Sequence, residues 1–90
     1  MNNTVYIAVK APLKDPILPH NCRIGVCEGT PTLDEGWLLY SSAVTENADK
    51  IHARVMRLLE NGVIRVEEDD AWFLPIEVLD DWMKEYVKDV

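Results

Sequence analysis

The two cysteines and two histidines are the residues of this chain best suited to bind a metal. His20, Cys22 and Cys27 are close in sequence, and His52 follows on a separate segment. Zinc prefers four nitrogen or sulfur ligands, usually with paired cysteines at C-x2-C or C-x4-C spacing, and this chain has only one pair. In a regular strand the two thiols point to opposite faces, although a bulge at Gly25 would change this. We predict no metal site, no disulfide and no cofactor, with both thiols reduced and partly buried.

Carboxylates and hydroxyls are the other groups with catalytic potential. A catalytic carboxylate needs burial or a close like charge to shift its pKa, and the acidic residues here fall in segments that we expect to be exposed. Ser41 and Ser42 lack the context of a nucleophile elbow. A chain of 90 residues also has little room for a pocket of useful size. We therefore expect a protein without catalytic activity.

The distribution of charge is the most informative feature of the composition. Residues 1–59 contain six acidic and six basic residues, whereas residues 60–90 contain ten acidic and three basic residues. The whole net charge of −7 is thus confined to the last third of the chain. This layout argues against direct contact with nucleic acid, because phosphate contacts need Lys and Arg. It suits a partner with a basic surface, and the alternative is a solvated surface that keeps the protein soluble.

Two acidic clusters and one aromatic residue form the predicted partner-binding surface. One cluster is the tip of a predicted hairpin, and the other opens the last helix. The residues are Glu67, Glu68, Asp69, Asp70, Trp72, Glu77, Asp80 and Asp81. The short link through Pro75 predicts that both clusters lie at one end of the domain. Trp72 is either an exposed anchor or part of the core, since it belongs to a patterned apolar face.

Such a surface predicts a non-enzymatic inhibitor. Carboxylates at suitable spacing imitate phosphates, so the protein would occupy a basic groove of a nucleic-acid-binding partner. Small acidic inhibitors from phages and mobile elements act in this way as a class, and the comparison here is one of composition. The alternative is a structural or assembly protein that forms homo-oligomers through its apolar strands. The sequence does not decide the oligomeric state.

The elements that must position these residues include two helices. The first spans about residues 45–61, with Thr45 as N-cap and Gly62 as a left-handed stop. Its apolar positions are Ala48, Ile51, Val55, Leu58 and Leu59. The second begins at Pro75, with Asp80 and Lys84 at the favourable i,i+4 spacing. Its apolar stripe consists of Leu79, Trp82, Met83, Tyr86 and Val90.

The remaining segments predict about five short strands. Residues 4–9, 22–27 and 37–40 give three strands, and residues 63–67 and 71–74 give a hairpin with a loop of three or four residues. Three prolines exclude a helix or a central strand from residues 11–21, where Leu13, Ile17 and Leu18 predict packing on the body. The prediction is a single α+β domain over residues 1–90, with a mainly antiparallel sheet, two helices and the order βββαββα.

Residues 51–74 also resemble the recognition helix and wing of a winged-helix domain. The resemblance rests on Leu58-Leu59-Glu60-Asn61-Gly62-Val63-Ile64 followed by a hairpin. It would imply a DNA-binding module. Two features differ from that family, since the wing tip carries four acidic residues and strands replace the helices that should precede the recognition helix.

Localisation follows from what the chain lacks. No apolar run approaches the roughly 18 residues of a membrane span, and the first residues do not resemble a signal peptide. We therefore expect a cytoplasmic protein.

Overall fold

The computed structural model describes residues 2–89 and confirms an α+β fold in the order βββαββα. The elements are β1 (Asn3–Lys10), β2 (Pro19–Cys27), β3 (Trp37–Thr45), α1 (Ala48–Gly62), β4 (Ile64–Val66), β5 (Ala71–Pro75) and α2 (Ile76–Asp89). A 3₁₀ turn (Glu67–Asp69) joins β4 to β5. No helix within residues 2–89 has the length and apolar character needed to cross a membrane.

The five strands form one antiparallel sheet in the order β3-β1-β2-β5-β4. β1 pairs along its length with β3, and from Thr4 to Val9 with β2. β5 pairs with β2 from Pro19 to Cys22, so in the part of the chain that the structure describes the second half of β2 has no strand neighbour on that side. β3 and β4 are the edges of the sheet.

Both helices pack on one face of the sheet, because each supplies an apolar stripe to the alternating apolar residues of the strands. In β1 the buried residues on this face are Val5, Ile7 and Val9, as the alternation predicts. The helices contribute Ala48, Ile51, Val55, Leu59, Ile76, Leu79 and Met83. Each fully buried Ile, Leu or Val contributes about 1.5–3 kcal/mol.

The opposite face of the sheet, which we call the open face, carries Tyr6, Ala8 and Lys10 of β1 and their cross-strand neighbours. Tyr6 lies across Gly25, where an added Cβ would come within 2.6 Å of the tyrosine ring. β2 pairs regularly with β1 at Gly25, so of the two explanations for this glycine, a bulge or a close approach, the close approach of the Tyr6 ring is the one that the structure shows. The bulge of this sheet lies between β1 and β3, beside Ile7 and Ala8.

Both predicted ends of α1 need correction. Thr45 is the last residue of β3, and its hydroxyl accepts a hydrogen bond from the backbone N–H of Asn47 (3.1 Å), so the helix begins only at Ala48. Gly62 is the last helical residue and is not left-handed. The N–H of Val63 bonds to the carbonyl of Leu59 (2.9 Å) while the chain already runs extended, so no left-handed residue is needed.

Several other boundaries moved. β2 starts at Pro19, because residues 19–21 pair with β5. β3 continues to Thr45, because pairing with β1 keeps extended a segment that has no strong signal of its own. α2 starts at Ile76, one residue after the predicted Pro75. The four residues between β4 and β5 agree with the predicted loop length. Met1 and Val90, the last residue of the predicted α2 stripe, lie outside the described residues.

The proline-rich loop is held by backbone contacts and not by its apolar residues. Leu13, Ile17 and Leu18 are all exposed, so the prediction that they pack on the body is wrong. The Glu77 N–H at the start of α2 instead donates to the carbonyl of Pro16 (3.2 Å). The buried His20 provides a second anchor for this loop.

Local features of the winged-helix resemblance are present, but their setting differs. α1 is followed by the β4–β5 hairpin, as the pattern predicts. Three strands precede α1, and the hairpin is part of the same sheet as those strands. A hairpin that pairs with β2 is a component of the body and not a projecting wing.

Candidate functional site

Asp69, predicted as part of an exposed acidic tip, is bound to the open face of the sheet. Its Oδ1 accepts a hydrogen bond from Lys10 Nζ (2.7 Å), and its Oδ2 accepts one from Asn21 Nδ2 (2.5 Å). Its backbone carbonyl accepts two from Arg23, at 3.2 Å from Nε and 2.6 Å from Nη2. The hydrogen bond from Lys10 is the main cause that lowers the pKa of Asp69, and Asn21 and Arg23 add to it.

Arg23 connects this turn to the loop before β3. Its Nη1 donates to Asp34 Oδ2 (3.1 Å), and its guanidinium lies 3.8 Å from the ring centroid of Trp37. A guanidinium stacked on an aromatic ring keeps its in-plane donors free for such bonds. Arg23 therefore holds the 3₁₀ turn, Asp34 and Trp37 together over the middle of the open face.

Asp70 and Trp72 are also engaged within the molecule. Asp70 is left-handed (φ 49°), and its carboxylate pairs with Arg65. The Arg65 guanidinium lies 5.0 Å from the ring centroid of Trp72. Trp72 is only 7% exposed and belongs to the apolar core. It therefore presents almost no surface with which to anchor a partner.

Of the three acidic residues of α2 that were predicted to bind a partner, one is buried and two are exposed. Asp80 is 6% exposed, and its Oδ2 accepts a hydrogen bond from Lys84 (2.7 Å), which confirms the predicted i,i+4 pair. This bond and the charge of Asp80 raise the pKa of Lys84. Among the described residues Asp80 Oδ1 has no partner. Glu77 and Asp81 remain exposed.

A whole strand, β5, lies between the two acidic clusters. The five residues of β5 separate the 3₁₀ turn from the start of α2, which at 3.3 Å per residue is roughly 16 Å. The turn lies near the middle of β2, whereas Pro75 pairs with Pro19 at its beginning. Pro75 therefore connects the clusters through a strand and not through a tight turn.

Seven carboxylates of the last third are nevertheless exposed and form no ion pair within residues 2–89. They are Glu60, Glu67, Glu68, Glu77, Asp81, Glu85 and Asp89. Glu77, Asp81 and Glu85 recur every four residues, which places them along one side of α2. Six of the seven thus lie in two places, at the 3₁₀ turn and along α2, and Glu60 lies apart from them near the end of α1.

The cysteines and histidines are separated by the fold. Cys22 faces the core and is fully buried, and burial raises the pKa of its thiol to about 12. Cys27 lies five residues further on and is partly exposed, as the alternation of a strand predicts. Within the described part of the chain no three His, Cys, Asp or Glu side chains converge as metal ligands would.

His20 has a structural role. Its Nε2 accepts a hydrogen bond from the backbone N–H of Lys14 (3.0 Å), which leaves the proton on Nδ1. Nδ1 is 2.7 Å from the carbonyl of Leu18, to which it donates. Both ring nitrogens of this 7% exposed side chain are thereby satisfied within the proline-rich loop.

The edge strand β3 contains exposed residues that the sequence did not single out. Leu38, Leu39 and Val44 are 43%, 45% and 70% exposed, although they lie in a strand. The nine residues of β3 contain no charged residue, proline or glycine. A cavity of about 440 Å³ beside this strand is lined in part by Leu39, Val44 and Pro31. The sequence signal that could have revealed this surface is the uncharged composition of the strand. It continues past Tyr40, where the predicted strand ended.

Comparison with known proteins adds nothing to the definition of these surfaces. No protein-family model, curated protein or solved structure matches it. The candidate surfaces are therefore defined by their own geometry, as the edge strand β3 and the exposed carboxylates of the last third.

We predict that only one cysteine of the folded protein reacts quickly with a thiol reagent. Only a thiolate reacts, and a pKa raised from 9.0 to about 12 lowers the thiolate fraction of Cys22 about a thousandfold. Labelling with a chromogenic disulfide at pH 8 is therefore expected to show one fast thiol per chain and a second only after unfolding. The Cys27→Ser variant, the matched control, should lose the fast phase, and a fast phase that persists in it would contradict the assignment.

We also predict that Asp69→Asn lowers the melting temperature at pH 7. A carboxyl group whose pKa is lowered in the folded state stabilises it above the pKa of the unfolded state. This stabilisation is lost as the pH falls through the lowered folded pKa. The gap in melting temperature between wild type and variant should therefore be largest near pH 7 and shrink below about pH 4. Glu68→Gln removes the same charge from an exposed neighbour and should change nothing. Equal effects of the two substitutions at pH 7 would refute the role of Asp69.

Proposed function

We propose that this protein acts by binding another macromolecule and not by catalysis, and that its main binding element is the edge strand β3. The observation that carries the proposal is the composition of that strand. A long edge strand offers a row of unpaired N–H and C=O groups, and natural proteins usually protect it with Lys, Pro or a cover. β3 has nine residues, no charge and three exposed aliphatic side chains.

A second copy of the same chain fits this edge best. In a two-fold dimer the same strand meets itself, so a charged residue on it would lie near a like charge. β3 has none, and the net charge of −7 belongs to residues outside it. The bulge beside Ile7 and Ala8 distorts the pairing with β1 locally but leaves residues 41–45 of β3 in regular register. Pairing of two β3 strands would join the two sheets into one of ten strands, and the protein would serve as an assembly or structural component.

A basic partner is the second candidate, and the seven free carboxylates of the last third favour it. Lys88 is the only basic residue in residues 60–89 that lies in no ion pair, so this third presents a net negative surface. Complementary charge accelerates encounter with a basic groove. The stripe Glu77, Asp81 and Glu85 spans roughly 12 Å along the helix. In this version the protein inhibits a nucleic-acid-binding partner by imitating phosphates, through α2 and the 3₁₀ turn.

Self-assembly through β3 is tested by light scattering coupled to size exclusion. The wild-type chain is expected to be a dimer, and Leu39→Lys, which places a charge opposite its own copy, is expected to be a monomer. Ile64→Lys is the matched control, because Ile64 is as exposed as the residues of β3 but lies in the opposite edge strand, β4. A wild-type monomer over the whole accessible concentration range, or a dimer that survives Leu39→Lys, would exclude the proposal.

Electrostatic docking is tested by affinity capture from a cell lysate with charge-reversed baits. Asp81→Lys with Glu85→Lys should release a basic nucleic-acid-binding protein that the wild type retains, and raising the salt concentration should do the same. Glu28→Lys with Glu35→Lys alters the net charge equally through exposed loop residues and should retain the partner. If both double variants lose it alike, only net charge matters and α2 is not the docking surface.

A further inference from the structure

The sheet has an unfilled position beside the second half of β2. β2 continues to Cys27, whereas β5 begins at Ala71, one residue before the pair of Trp72 with Cys22. Alternate residues of a strand direct their N–H and C=O groups to the same side. Part of the backbone of residues 24–27 therefore faces this position, where no strand from residues 2–89 pairs with it. We call the position the β2 notch.

The segment before β5 turns away from this position and leaves it unfilled. Upstream of β5 a continued strand would pair with residues 24–27, but Asp70 is left-handed and turns the chain aside. Asp69 then fixes the turn on the open face through Lys10, Asn21 and Arg23. The notch is thus a built feature, because the same bonds that anchor the turn keep the chain out of it.

A cavity of about 260 Å³ occupies the notch. It is lined from the helical side of the sheet by Ile24, Trp72, His52 and Met56, and from the open face by Tyr6 and Arg23. An unbroken sheet separates side chains of its two faces, so a cavity that both faces line marks a gap between strands. A strand inserted here would lie at the usual spacing of about 4.8 Å from β2.

The charges of the notch differ from those of the chain as a whole. Arg23 and Arg65 line the cavity with a single carboxylate, that of Asp70, in a protein of net charge −7. Arg23 is committed to Asp34 and to the Asp69 carbonyl. Within residues 2–89 the only ion pair of Arg65 is with Asp70, whose side chain is 78% exposed. A carboxylate from outside can therefore take the place of Asp70 beside Arg65.

Gly25 and Tyr6 shape the wall of the notch. The tyrosine ring crosses β2 over Gly25 and reaches the far side of the strand, where it lines the cavity. An alanine at position 25 would meet the ring at 2.6 Å and displace it. The glycine thus keeps an aromatic wall in place at the notch.

We propose that the β2 notch binds an extended peptide segment of a partner protein as an added strand, with an acidic side chain of that peptide against Arg65. Main-chain hydrogen bonds to residues 24–27 supply the affinity, and alternate side chains of the peptide contact Tyr6 on one face and Met56 on the other. This is the strand-addition mode of peptide recognition. It is independent of β3, which lies two strands away at the sheet edge.

The experiment is selection of a displayed library of random heptapeptides against the full chain. Enriched peptides are expected to alternate apolar residues and to carry at least one Asp or Glu. Methylation of every second backbone nitrogen of a selected peptide should abolish binding when the methylated nitrogens face β2. Methylation of the other set, which faces away from β2, should leave binding unchanged. That result is specific to a strand that pairs on one side.

Arg65→Glu is expected to weaken binding of a selected peptide roughly tenfold or more, because it removes a charge-assisted hydrogen bond and adds repulsion. Arg57→Glu, the same change at an exposed position of α1 outside the cavity, is the matched control and should bind as the wild type does. The proposal is overturned if no peptide is enriched. It is also overturned if enriched peptides bind the Arg65→Glu variant as tightly as the wild type, or if methylation of the two alternate sets of nitrogens has the same effect on binding. None of these outcomes bears on the oligomeric state or on capture by α2.

Discussion

The bonding of Asp69 to the open face determines much of the architecture of this protein. One residue accepts hydrogen bonds from Lys10 of β1 and from Asn21 and Arg23 of β2. Those bonds tie the loop between β4 and β5 across the two central strands of the sheet. They also fix where β5 can start, and hence how much of β2 it can cover. The short β5, the open half of β2 and the withdrawal of Asp69 from the exposed acidic tip are consequences of the same contact.

The acidic residues of the last third therefore serve two separate purposes. Asp69, Asp70 and Asp80 are each paired with a cation, and Asp80 is buried beside Lys84. Asp69 and Asp80 are shielded and belong to the structure, since removing the partner of a shielded charge leaves it uncompensated. Asp70 is paired as well, but its side chain is 78% exposed. The free carboxylates at the turn and along α2 belong to the surface. Charge counting along the chain cannot separate the two groups, because both consist of the same residue types in the same segment.

Element types were predictable from the sequence because they depend on local patterns. The alternation of Val5, Ile7 and Val9 and the helical spacing of Ile51, Val55 and Leu59 are visible within single segments, and all six residues are buried. Strand order was not predictable, since β1 lies between β2 and β3 through contacts that no local pattern encodes.

The hydrogen-bond partners of Asp69 could not be predicted for the same reason. Its partner Lys10 is 59 positions away, and Arg23 is 46 positions away. Trp72 illustrates a third limit, because the side of the sheet that it faces depended on the length and shape of the preceding loop. Exposed Leu13, Ile17 and Leu18 show the converse error, in which apolar character was taken as evidence of burial although loop anchoring depends on backbone bonds.

The unpaired strand edges of the sheet differ in how they are protected, and this difference decides which edge is the better candidate for association. β4 has only three residues, and Arg65 in its centre carries a charge. The exposed half of β2 is short and is lined by Arg23, Arg65 and His52, which restrict it to a narrow class of partner. β3 has neither device, since it is nine residues long and uncharged. The net charge of −7, which the last third of the chain carries, repels other copies from that surface, and repulsion is weak at an uncharged edge outside it. In the proposed dimer the acidic surface and the bare edge would be complementary features, because charge elsewhere would suppress unspecific association and leave β3 as the place of contact.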